Sequence, residues 1–291
     1  MTPSTNRAPD TGRAFPNNPH EHAAAIAEAV ARRWHRDHGS GAIEVPISVV
    51  AALSMLSPPD DERDWTATAL QSVPLDRFIE IIRAQWAIFI TYRPDLVNRA
   101  WPLISVWHSG QPLPENTVTA AKAVSDAAVT AGLLSLTGTP RRRDTDVFGP
   151  LLAIFRPDVS KGVRGQIYTP PDLADAIAQL LPPAEGGTVL EPAVGTGGLL
   201  RSAAEAMRAH GGDPTTVRWC AVDIDELAVA CLTVNVVLWE LGHDVVLGVG
   251  DSLADDWLDR ALAERRETVE IAKNITAVKA FLRLSTNGDQ P

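Results

Sequence analysis

Thr188-Val189-Leu190-Glu191-Pro192-Ala193-Val194-Gly195-Thr196-Gly197-Gly198-Leu199-Leu200 is the stretch on which the fold turns. The apolar run Thr188 to Leu190 reads as a strand, Glu191 to Gly198 as a glycine turn, and the pattern from Arg201 as a helix. Glycines lack a Cβ and let the backbone close tightly over a ligand, while the first turn of the next helix offers N–H groups without an intrahelical partner. This order predicts an α/β fold carrying a nucleotide-type pocket.

Working outward, Val217 to Val222 forms a second apolar strand that ends in Asp223-Ile224-Asp225. That spacing lets a carboxylate grip ribose hydroxyls. A third short strand, Asp244 to Val249, ends in Gly250-Asp251-Ser252-Leu253. Upstream, Gly165-Gln166-Ile167-Tyr168-Thr169-Pro170 precedes a helix over Asp172 to Leu181.

Taken in order, these four pieces resemble the N6-adenine DNA methyltransferases, most closely the modification (M) subunits of type I restriction-modification systems, over residues 145 to 253. The resemblance implies a partial Rossmann-like class I methyltransferase domain that binds S-adenosylmethionine. By the same resemblance, Tyr168 and Thr169 would line the methionine side, and Glu191 would orient its ammonium, where the family usually has aspartate. Pro192, Gly195, Gly197 and Gly198 would bring the backbone to the cofactor. Asp223, with Ile224 beside it, would hold the ribose, and Asp251 and Ser252 would border the adenine. Asp146-Val147-Phe148-Gly149-Pro150-Leu151-Leu152 looks like the family's helical lead-in.

The family's D/N/S-P-P-Y/F/W catalytic loop does not occur in this chain, so no catalytic residue is assigned. The exocyclic amine of adenine is a poor nucleophile, and the family holds it with that loop while an aromatic ring stacks on the flipped base. Ser57-Pro58-Pro59-Asp60 is the nearest string; it ends in a carboxylate, lies far upstream, and reads as a loop capping the next helix.

The chain has 291 residues, 45% of them hydrophobic, enough for a buried core and two domains. No window approaches a membrane span, and Met1 to His20 lacks the apolar core of a signal peptide, so the expected location is cytoplasmic. Cys220 and Cys231 read as buried thiols, and no metal site is expected. A net charge of −10 is the wrong sign for a chain that holds a duplex alone. A local basic group, Arg141, Arg142, Arg143, Lys161 and Arg164, is the candidate for DNA phosphates, or else a solvated linker. In the type I systems sequence reading lies with a separate specificity subunit, so the resemblance implies DNA and such a subunit as partners.

The domain reading is a disordered N-terminus over 1–20, a helical domain over 21–140, a basic linker and lead-in helix over 141–164, the S-adenosylmethionine-binding domain over 165–253, and a helical tail over 254–291. Within the helical domain, Glu21 to Arg36, Ile47 to Leu56, Asp76 to Tyr92 and Asn116 to Leu136 carry helical spacing, with Pro94, Pro102, Pro112 and Pro114 marking connections. Trp34, Trp86 and Trp101 read as core rather than as base-stacking platforms. In the tail, Trp257, Leu258, Ala261 and Leu262 fall on one helical face where a fourth strand is expected of a complete enzyme. Without that strand Val189 and Leu190 would lie on an open edge, covered by the tail helix or by another chain. Three readings stay open: a DNA adenine methyltransferase whose catalytic half comes from a partner chain, a catalytically inactive cofactor-binding module, and a structural remnant that binds no cofactor.

Overall fold

The computed structural model describes residues 15–156, 169–254 and 256–287. The expected disordered stretch lies outside the described residues up to position 14. Helix α1, Pro19–Asp37, starts two residues ahead of its expected limit because Asn18 caps it, its side chain accepting from the His20 N–H at 2.8 Å with proline at the first position. The helices α2 (Glu44–Ser54), α3 (Arg63–Ser72) and α4 (Leu75–Tyr92) follow. Ser57 to Asp60 is the loop leading into α3, where Asp60 pairs with Arg63.

Three expectations about this region are corrected. Pro102 is no connection: it sits inside α5, Val97–His108. There the burial of Ala100, Leu103, Ile104 and Trp107 outweighs the one backbone bond that proline removes. Trp101 is not core, being 48% exposed, because it projects from the opposite side of α5. The single helix expected over 116–136 is two, α6 (Glu115–Thr130) and α7 (Leu133–Thr137). Gly132 parts them with φ +89°, a left-handed conformation that a right-handed helix cannot continue through. Trp34 and Trp86 are fully buried as expected, and the indole N–H groups of Trp86 and Trp107 both donate to Ser48 Oγ at 3.0 Å.

The chain then runs through α8 (Phe148–Phe155), α9 (Pro171–Leu180), β1 (Thr188–Glu191), α10 (Gly198–Ala209), β2 (Arg218–Asp223), α11 (Glu226–Leu238), β3 (Val245–Val249) and α12 (Trp257–Asn287). The three strands form one parallel sheet in the order β1-β2-β3, with Leu190 opposite Cys220 and Cys220 opposite Val246. Parallel strands need crossover helices, and α10 and α11 supply them.

Helix α11 explains how the helical region meets the sheet. It is apolar nearly all round and buried from Ala228 to Val236, because it lies between β2 and β3 on one side and α2 and α5 on the other. As a result, one continuous core runs from Ile26 and Trp34 through Trp86 to Leu232, Trp239 and Leu247. The opposite face of the sheet, at Cys220 and Val246, is covered by Trp257, Leu258, Ala261 and Leu262 of α12. Both cysteines are buried free thiols. The outer edge of β3 is covered as well, with Arg99 Nε donating to the Leu247 carbonyl at 2.9 Å.

Among the described residues no strand lies beyond β1. The tail helix covers the β3 side, so it does not close the edge where Val189 and Leu190 lie. Leu190 continues the row of Cys220 and Val246 but is 58% exposed. No helix among the described residues is long and apolar enough to cross a membrane.

Candidate functional site

The turn after β1 is built by hydrogen bonds that its glycines permit. The Val194 N–H donates to the Val222 carbonyl at 3.1 Å, extending the strand pairing into the turn, and the Gly197 N–H donates back to Val194 at 2.8 Å. Gly195 has φ +53° and Gly197 φ +98°. At Gly197 glycine is required twice over, since a Cβ there would lie 2.4 Å from Leu232 and 2.9 Å from Trp239. Gly198 differs: a Cβ there meets nothing, because it opens α10 toward a cavity.

That cavity has a volume of about 610 Å3 and lies where the loops after β1, β2 and β3 converge. Ligands of open α/β sheets bind at such carboxyl ends of strands. Of the residues singled out from sequence, Thr169, Pro192, Gly195, Gly198, Asp223, Ile224, Asp251 and Ser252 line it. Gly197 supports the turn from behind. Glu191 is not among the lining residues; its carboxylate accepts from the Ala193 N–H at 3.2 Å. Tyr168, Lys161 and Arg164 lie outside the described residues.

Asp223 holds the loops together. One of its oxygens accepts from the Gly195 N–H at 2.7 Å and the other from the Asp225 N–H at 2.8 Å, while its carbonyl accepts from Gly250 N at 2.9 Å. Burial raises its carboxyl above the ordinary range, opposed by the Gly195 N–H and by the charge of Arg156. Glu191 is raised for the same first reason, and the neighbouring Asp223 charge adds to it. Asp225 is buried and caps α11, accepting from Leu227 N at 3.1 Å, and it is paired with Arg156.

The helical part of the chain contributes cavity residues that the sequence pattern missed: His20, Thr145, Asp146, Gly149 and Ala153, together with Arg201 of α10. Thr145 Oγ lies 3.1 Å from His20 Nδ1. Burial lowers the His20 pKa, and the Arg201 charge adds to that. Arg201 donates to Asp175 at 2.6 Å and to the Asp144 carbonyl at 3.2 Å. These positions escape a motif search because they come from segments far apart in the chain. The one signal was the Asp146 to Leu152 lead-in, whose aspartate proves to face the turn.

The basic run before α8 is largely satisfied within the molecule. Arg142 and Arg143 both pair with Glu240, and Arg141 donates to the carbonyls of Pro16 and Asn17.

Residues 144–275, a little under half of the chain, match the family model of the N-6 DNA methylases. The chain resembles the modification subunits of type I restriction-modification systems. A relative from Methanocaldococcus jannaschii, a type I restriction enzyme MjaIX methylase subunit, is 30% identical over 117 residues, which are 39% of this chain and 20% of the relative. The chain therefore spans about a fifth of that curated relative's length. A solved type I restriction-modification methyltransferase subunit from Streptococcus thermophilus is similar with a TM-score of 0.47 and 14% identity, covering 83% of this chain and 60% of that one.

Proposed function

We propose that the cavity binds S-adenosylmethionine, and that this chain is the cofactor-holding part of a DNA adenine N6-methyltransferase of the modification-subunit kind. The observation that carries the reading is the convergence of the loops after all three strands, glycine turn included, on one cavity of about 610 Å3. That volume lies within the roughly 300–1,000 Å3 of small-molecule sites. The chemistry of the lining agrees with a cationic sulfonium ligand, since Asp223 and Asp251 both border the cavity. On this reading residues 165–253 form a partial Rossmann-like class I domain, flanked by the helical domain at 21–140, the lead-in at 141–164 and the tail at 254–291.

Bound S-adenosylmethionine would supply an electrophilic methyl group; the residues of this chain bind and orient. Asp223 accepts from ribose hydroxyls while keeping its bonds to the Gly195 and Asp225 amides. Asp251 and Ser252 border the adenine, and Thr169 lines the methionine side with Tyr168. Glu191 acts on the methionine ammonium through the turn that it stabilises. Gly198 leaves room for the ligand at the start of α10, whose free N–H groups favour an anionic group such as the ligand carboxylate.

Methyl transfer on this reading takes a partner chain that supplies the catalytic loop, and a specificity subunit that selects the DNA site. The observation that supports the partner is that β1 leaves its outer edge and Leu190 uncovered among the described residues. Phosphate contact by Arg141, Arg142, Arg143, Lys161 and Arg164 belongs to the same reading and would require Arg142 and Arg143 to exchange Glu240 for DNA. The second reading is a cofactor-binding module without catalysis.

Calorimetric titration of the purified chain with S-adenosylmethionine, beside Asp223→Ala, tests the cofactor site. Binding that weakens in the variant supports it, and no binding to the wild type overturns it. Incorporation of labelled methyl into adenine in the presence of the partner chains separates the two readings, since the inactive module gives binding without product.

A further inference from the structure

The lead-in helix α8 is joined at both ends to the loops that form the cavity. Ahead of it, Asp146 accepts from Thr196 Oγ at 2.5 Å, from Asn235 Nδ2 at 2.9 Å and from the Phe148 N–H at 2.9 Å. Thr196 is the middle residue of the Gly195-Thr196-Gly197 turn and is only 2% exposed. Asn235, fully buried in α11, gives its second N–H to the Thr196 carbonyl at 2.8 Å, so the residue is held from both its side chain and its backbone. At the other end of α8, Arg156 forms a two-pronged pair with Asp225, whose side chain caps α11 and whose N–H is held by Asp223. Eight helical residues span about 12 Å. A rigid rod of that length therefore ties the turn after β1 to the turn after β2 from outside the sheet.

We infer that Asp146 and Arg156 are positioning residues: α8 acts as a two-point clamp that fixes the spacing of the glycine turn and the Asp223–Asp225 turn across the cavity. The geometry gives each end its own duty. Loss of the Thr196 hydroxyl leaves one oxygen of the partly buried Asp146 carboxylate short of a donor and frees the turn while the Arg156 end stays intact. Loss of the Arg156 charge removes the two-pronged pair on buried Asp225 and frees the second turn first. The Gly195–Asp223 bond joins the two turns directly, so α8 and that bond form a closed loop of contacts around one wall of the cavity.

The ligand half of this inference rests on the S-adenosylmethionine reading, and the experiment is chosen to keep the two apart. Amide hydrogen exchange of the ligand-free chain is measured for Thr196→Val, Thr196→Ser, Arg156→Met and Arg156→Lys. The expected result is faster exchange confined to residues 193–198 in Thr196→Val and to residues 223–228 in Arg156→Met, by about tenfold for one lost hydrogen bond. Thr196→Ser restores the wild-type pattern because it keeps the donor, and Arg156→Lys restores it in part because it keeps the charge. Titration with S-adenosylmethionine should then give a similar, about tenfold, weakening in the two disruptive variants and recovery in Thr196→Ser. Unchanged exchange in both turns overturns the clamp, and so does acceleration spread evenly over the whole chain, which marks a purely structural role. A wild-type chain that binds no S-adenosylmethionine removes the cofactor reading, while the exchange data still decide the clamp.

Discussion

Replacing Asp223 by alanine should cost both stability and ligand affinity, and the two costs can be separated. The side chain accepts two backbone hydrogen bonds, from Gly195 at 2.7 Å and from Asp225 at 2.8 Å. A hydrogen bond to a charged group contributes about 1.5–3 kcal/mol net. Because the carboxylate is partly exposed at the cavity, the lower end applies, and water entering the gap recovers some of the loss. The two bonds together then amount to about 2–3 kcal/mol. Burial also raises the Asp223 carboxyl above its ordinary range, so its ionisation in the folded protein is itself unfavourable and trims the figure toward the lower bound. For a chain of this size, about 2 kcal/mol corresponds to a fall in Tm of about 3–4 °C. Scanning calorimetry of the ligand-free variant reads that term alone. The change in the S-adenosylmethionine titration at a temperature where both proteins are folded then reads the ribose term, expected at about 1–3 kcal/mol. A variant with unchanged Tm would refute the role of Asp223 as the tie between the turns. One with lower Tm but unchanged affinity would refute the ribose contact.

Gly197→Ala forces a left-handed residue with a Cβ into Leu232 and Trp239, and should destabilise by about 2–4 kcal/mol in denaturant unfolding, whereas Gly198→Ala meets open space and should leave stability within about 1 kcal/mol while weakening ligand binding. Equal stability losses in the two would contradict the assignment of one glycine to packing and the other to the cavity. Glu191 has a raised folded-state pKa, first from burial, so its contribution to stability is full below the ordinary carboxylate range and is lost as pH rises through the raised value. Glu191→Gln should therefore gain on the wild type in Tm from mildly acidic to neutral pH, with the gap closing in acid; a gap that widens in acid would reverse the sign. Leu190→Lys changes an exposed side chain on the open edge of β1, so stability should move by less than about 0.5 kcal/mol. On the proposed reading a partner chain covers that edge, so assembly with it, followed by size-exclusion chromatography, should fail in the same variant; normal assembly would place the partner elsewhere.

Most of what fixes the α/β half was legible in the chain, for a local reason. The strand-turn-helix at Thr188 to Leu200, the Asp223 at the end of the second strand and the Gly250-Asp251 after the third depend on residues adjacent in sequence, and the structure brings all three loops to one cavity. Likewise α1 and α4 follow from the spacing of Ile26, Val30 and Trp34 and of Ile82, Trp86 and Phe89. The expectation for 116–136 went wrong at Gly132 because a glycine within an apolar helical pattern is compatible with either continuation or a left-handed break, and packing of Leu133, Leu134 and Leu136 selects the break. The error at Trp101 has the same source: neighbours along the chain do not say which side of α5 meets the core.

By itself the sequence determined the strand segments, the glycine turn and the acidic loop ends, since glycine geometry and apolar runs act over a few residues. Only the tertiary structure decided the rest. It placed His20 and Asp146 at the cavity, tied Arg142 and Arg143 to Glu240, and laid the tail helix on β3 rather than on the edge of β1. Those outcomes turn on contacts between segments far apart in the chain, where burial and charge pairing are set by how helices pack against the sheet and leave no periodic trace in the sequence.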